Sequence, residues 1–87
     1  MNIRVFKPTS PSLSVNIKDI PEITMMANAH KIPTIKFVRS FTELGLKEVK
    51  EWVEGINCFE FTDYYEMDTF KTAMRLIGEA YSLGRRG

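Results

Sequence analysis

The spacing of apolar residues switches between the period of about 2 of a half-buried strand and the period of about 3.6 of a helix, which leaves few architectures open to this chain. Ile3 and Val5 alternate with Asn2 and Arg4, and Leu13, Val15 and Ile17 alternate with Ser14, Asn16 and Lys18. Two strands are expected, joined through Pro8-Thr9-Ser10-Pro11-Ser12, which lacks continuous backbone donors and favours a turn. An N-terminal hairpin over residues 1–18 is the simplest connection. Pro21 and Glu22 suit the first turn of a short helix running to about Ala29. The β-branched Ile23 and Thr24 keep an extended reading of residues 22–26 open.

Helical spacing then dominates. Residues 32–42 carry two stripes, Thr34, Phe37, Val38 and Phe41 on one side and Ile32, Ile35, Lys36 and Arg39 on the other. Only one stripe can face a core, and the first is the more apolar. Gly45 interrupts the pattern, and a second helix is expected over residues 46–54, with Val49, Trp52, Val53 and Ile56 in register and Gly55 as its stop. Together these segments form a helical hairpin, with Trp52 buried between it and a sheet. Phe59 and Phe61 alternate with Glu60 and Thr62 as a third strand. A last helix, capped by Asp68, carries Phe70, Ala73, Met74, Ile77 and Tyr81 at helical spacing and ends at Gly84, with Arg85 and Arg86 near its negative end.

The chain has 87 residues, room for one domain and one core. The expected fold is therefore α+β: two layers, with helices that include the central hairpin lying on a small antiparallel sheet. With 12 basic and 11 acidic residues the net charge is +1, which argues against holding nucleic acid or membrane by bulk charge. A single cysteine, Cys58, excludes an intramolecular disulfide and fits a reducing compartment. The N-terminus resembles no signal peptide, and no apolar run reaches the roughly 18 residues of a membrane span, so a cytoplasmic protein is expected.

Little in the chain points to chemistry. His30 and Cys58 carry no indication that they meet, so no nucleophile-base pair is expected. Cys58 reads as a small buried hydrophobe and His30 as a solvated cap at a helix end. Asp63, Glu66 and Asp68 beside Tyr64 and Tyr65 lack the Gly-centred loop and terminal Glu of a calcium site. The two tyrosines read as one core and one exposed residue of a strand end. The five glycines are too dispersed to cradle a phosphate. No catalytic residue, metal site or cofactor is expected.

The stripe Ile32, Ile35, Lys36 and Arg39, continued by Leu46, Lys47 and Lys50, mixes apolar and basic side chains, a composition poor for a core and good for an interface. Basic stems shielding isoleucines would look the same. The segment Lys31-Ile32-Pro33-Thr34-Ile35-Lys36-Phe37-Val38-Arg39, followed by Thr42-Glu43-Leu44-Gly45-Leu46-Lys47-Glu48-Val49-Lys50-Glu51, resembles the C-terminal domain of the bacterial ribosomal stalk protein, the L-seven/L-twelve family. The family pattern Lys-Ile/Val-x-x-Ile-Lys-x-Val-Arg is followed by Leu-Gly-Leu-Lys-Glu-Ala-Lys and a Val-Glu ending. Residues 44–50 depart from the second block only in Val49, and Val53-Glu54 supplies the ending, so the likeness runs over about 24 residues without a gap.

That resemblance implies three helices on a three-stranded antiparallel sheet, with a stalk-like core over residues 31–83. It also implies a helical hairpin that recruits translational GTPases such as elongation factors Tu and G. The residues it assigns to partner binding are Ile32, Ile35, Lys36, Arg39, Gly45, Leu46, Lys47, Glu48 and Lys50, with Gly45 expected to turn the chain through a positive φ. The chain departs from the family pattern in lacking a dimerisation segment and an alanine-rich hinge, in Pro33 and Thr34, and in ending where the family has its final strand. It reads as a stand-alone relative, of the kind a phage would carry as a mimic or competitor, with its N-terminal strand filling the free sheet edge. A nucleic-acid binder using Lys31, Lys36, Arg39, Lys47 and Lys50, or an adaptor for an unrelated protein, are the alternatives. Glu43, Glu48, Glu51 and Glu54 weigh against the first. The sequence fixes no oligomeric state.

Overall fold

The computed structural model describes residues 3–6 and 13–84. The expected Pro8–Ser12 turn, the residue Asn2, and the arginines Arg85 and Arg86 lie outside the described residues. In chain order the elements are β1 (Ile3–Phe6), β2 (Ser14–Val15), a 3-10 turn (Ile17–Asp19), α1 (Pro21–Ala29), α2 (Lys31–Phe41), α3 (Leu46–Val53), β3 (Cys58–Phe61) and α4 (Tyr64–Gly84). The described residues thus form the expected α+β architecture of helices on a three-stranded antiparallel sheet.

The expected hairpin of the first two strands does not form. The strand order is β1-β3-β2, with β3 antiparallel to both neighbours, Val5 and Val15 each opposite Phe59. Burial accounts for the order: Cys58, Phe59 and Phe61 are all buried, so β3 belongs at the centre, where both of its backbone edges find partners. β2 is also shorter than its alternation suggests. Asn16 accepts the Lys18 N–H at 3.0 Å while Asp19 accepts the Asn16 N–H at 2.9 Å, a reciprocal cap that turns the chain into the 3-10 segment before Ile17 can extend the strand.

In α1 the helical alternative prevails over the extended one. Pro21 occupies the first turn, and the Thr24 hydroxyl donates to the carbonyls of Ile17 and Ile20, at 2.6 and 3.0 Å, so its β-branched side chain acts as a local staple. The last helix starts earlier than expected. Asp63, not Asp68, is its cap, accepting the Glu66 N–H at 2.8 Å immediately after the strand ends. Tyr64 and Tyr65 consequently lie in the first helical turn, and both are exposed rather than one being core.

Trp52 of α3 is completely buried at the centre of the core. Its ring stacks on Phe59 at 4.7 Å, Phe70 of α4 meets it edge-on at 5.5 Å, and its indole N–H donates to the Val15 carbonyl at 2.8 Å. One side chain therefore ties the hairpin, two strands and the last helix together, with its polar group satisfied. Gly78 sets the spacing of α1 and α4: a Cβ there would stand 2.6 Å from the Glu22 carbonyl carbon and oxygen, closer than any side chain allows.

Candidate protein-docking face

The two helices of the central hairpin run antiparallel, since Lys31 in the first turn of α2 pairs with Glu54 at the cap of α3. α3 ends in two hydrogen bonds typical of a glycine-terminated helix, from Ile56 N–H to the Glu51 carbonyl at 2.8 Å and from Gly55 N–H to the Trp52 carbonyl at 3.0 Å. Gly55 takes the left-handed conformation this ending requires, with φ of 82°. The chain leaves the helical path there, so Ile56, expected on the core stripe with Val49, Trp52 and Val53, is exposed instead.

The core-facing arc of α2 differs from the expected one. Thr34, Ile35 and Val38 are buried, and Phe37, placed by its spacing on the core stripe, is 42% exposed. Ile35, assigned to the outer stripe, is only 5% exposed and belongs to the core. The correction is a rotation of less than one residue step of about 100°. It arises because α2 is covered by α1 as well as by α3, and Ile35 lies within the covered arc. Thr34 tolerates the interior because its hydroxyl donates to the His30 carbonyl at 2.8 Å.

The remaining sequence-derived residues lie outside the core. Ile32 is 61% and Leu46 54% exposed, and Lys36, Arg39, Gly45, Lys47 and Lys50 are exposed as well, with Glu48 half-buried. Gly45 has φ of −76° and ψ of 171°, an extended conformation open to any residue, so its expected positive φ is not found. What crowds it is the Glu48 carboxylate, whose Oε2 would lie 2.8 Å from an added Cβ. That is the mobile end of a long side chain, folded over the start of α3 where a negative charge is favourable.

The acids interleaved with these cations are mostly committed elsewhere. Glu54 is paired with Lys31, and the Lys31 hydrogen bond, aided by the charges of Lys31 and Lys50, holds its carboxyl below its ordinary value against partial desolvation. Glu51 accepts from the side-chain amide of Asn57 at 3.2 Å, a buried residue whose part in bracing the hairpin nothing in the sequence indicated. Glu48 is folded back over Gly45. Among the described residues Lys36, Arg39, Lys47 and Lys50 take part in no ion pair. Among the described residues these acids therefore leave the four cations of the outer face unbridged, with Ile32 and Leu46 exposed beside them.

The other candidate groups are placed apart from this face. Cys58 is buried, and its sulfur accepts from the Asn16 side-chain amide at 3.7 Å. His30 joins α1 to α2, and its ring meets Tyr81 edge-on at 5.2 Å, so it is partly packed rather than simply solvated. Among the described residues no His, Cys, Asp and Glu are grouped so as to hold a metal ion. No helix among them is long and apolar enough to cross a membrane.

The family model described as the ribosomal protein L7/L12 C-terminal domain matches residues 17–76. Among curated proteins, the chain is 33% identical over 76 residues to the large ribosomal subunit protein bL12 of Blochmanniella floridana, covering 85% of this chain and 60% of that protein. It is 38% identical over 63 residues to the bL12 protein of Blochmanniella pennsylvanica, covering 70% of this chain and 51% of that protein. The chain therefore spans between about half and three fifths of the length of these relatives. No solved structure matches it significantly.

Proposed function

The chain belongs to the ribosomal protein L7/L12 C-terminal domain family, and from that premise we propose that it is a non-enzymatic binding module whose α2–α3 face docks a translational GTPase or a related partner in translation. The observation that carries this reading is the set of cations Lys36, Arg39, Lys47 and Lys50, which form no ion pair among the described residues, beside the exposed Ile32 and Leu46. Unpaired charge at the rim of an apolar patch steers a complementary acidic surface and sets its register, while the apolar side chains supply contact area. Ile35 contributes from beneath, by holding α2 in place, rather than by touching the partner.

In this reading the protein either recruits the GTPase or occupies a surface that a ribosome-bound relative would use. The direct test is titration of the purified chain with elongation factor Tu, elongation factor G and a single-stranded RNA, each at two salt concentrations. Saturable binding to a factor with a moderate salt dependence supports the proposal. Binding only to RNA, with affinity falling steeply in salt, would transfer the basic face to a nucleic-acid role.

A further inference from the structure

A recess lies between α1 and the end of α4 and shares none of the residues assigned to the α2–α3 face. It is a groove of about 470 Å³, within the usual size range of ligand and peptide sites. Its position follows from Gly78, which lets the two helices touch at Glu22 and leaves the groove open beside that contact. Met25 and Met26 of α1 and Leu83 of α4 make it apolar, and Met25 and Leu83 are 68% and 64% exposed. Two large side chains this exposed in one groove are a feature of docking surfaces, and methionine adapts its shape to varied partners.

Charge indicates what would cover it. Glu22 and Glu79 both line the groove, and Glu79 directly follows the glycine that abuts the Glu22 backbone, so the two acidic residues stand at the same helix contact. Neither takes part in an ion pair among the described residues, and no described lysine or arginine lines the groove. Two carboxylates outside any ion pair among the described residues, beside an apolar floor, favour a ligand with a cation next to aliphatic side chains. We propose that this groove docks a partner protein segment presenting aliphatic side chains next to a lysine or arginine, with the cation beside Glu22 and Glu79. The charge is opposite to that of the α2–α3 face, so the two faces select different partners and the chain can hold both at once.

The test uses the full chain and a fluorescent amphipathic helical peptide of leucine and lysine, with the same peptide carrying glutamate for lysine as comparison. The lysine peptide is expected to bind saturably, and Glu79→Lys and Leu83→Asp each to weaken it by about tenfold or more, with the fold verified by circular dichroism. Asp68→Lys, an equal charge change at the other end of α4, is expected to leave affinity unchanged. The proposal is overturned if the lysine peptide fails to bind, if the glutamate peptide binds equally well, or if Asp68→Lys weakens binding as much as Glu79→Lys. It is equally overturned if sedimentation of the chain alone reveals self-association that Glu79→Lys abolishes, since the occupant would then be the basic face of a second copy.

Discussion

The two faces of the α2–α3 hairpin are built from residues interleaved along one stretch of sequence yet are fixed by different physics. Inside, Trp52 is held by a stacked ring, an edge-on ring and a hydrogen bond, and Ile35, Val38, Val49 and Val53 are buried around it. Outside, Ile32, Leu46 and four cations are exposed, with no ion pair among the described residues holding the cations. The inner face should therefore respond to substitution with loss of fold, and the outer face with loss of partner. Residues that break this division show where it is drawn wrongly.

The largest effect is expected at Trp52. Trp52→Ala removes the contacts that join α3, β2, β3 and α4 and should destabilise the fold by about 3–5 kcal/mol, a large share of what a domain this small possesses. Chemical denaturation measures it, and an unchanged midpoint would mean that the core is organised elsewhere. Ile35→Ala comes next, at about 2–4 kcal/mol of stability. The result separates the two faces sharply, because an Ile35 on the outer surface would lose partner affinity and almost no stability.

Gly78→Ala should cost about 1–3 kcal/mol, since the added methyl meets the Glu22 backbone rather than a side chain that could swing away. Gly45→Ala meets only the Glu48 carboxylate and should change the thermal midpoint far less. Ile32→Ala and Leu46→Ala should stay within about 0.5 kcal/mol of the parent while weakening partner binding. The smallest expected effect is that of pH on the Lys31–Glu54 pair. The Glu54 carboxyl is held below its ordinary value, so the pair's contribution is complete above the normal carboxylate range and is lost as pH falls through the lowered value. A small acid-side slope in the thermal midpoint should disappear in Lys31→Ala.

The difference between the faces also explains how much of the protein was legible in its sequence. α3 was readable because its apolar residues form one narrow stripe and Gly55 stops it, although Ile56 lay beyond that stop and its register no longer applied. α2 was harder because apolar residues occupy most of its circumference, and the buried arc was decided by α1, a neighbour whose packing no period reveals. The strand order likewise depended on β3 being buried at the sheet centre, a tertiary fact, whereas the existence of the strands was visible in their alternation. The cations of the outer face were visible one by one. That they take part in no ion pair among the described residues was not, because it depends on where Glu48, Glu51 and Glu54 turn.

The measurement closest to the central claim is the affinity of the Lys36→Glu, Arg39→Glu double variant for elongation factor Tu and elongation factor G, made alongside its thermal unfolding. Both residues are exposed and, among the described residues, outside any ion pair, so the variant should unfold at nearly the parent temperature. Reversing two charges at a complementary interface should lower affinity by several kcal/mol, enough to abolish detectable binding. A double variant that folds normally and binds a factor as tightly as the parent would contradict the assignment of the α2–α3 face as the docking surface.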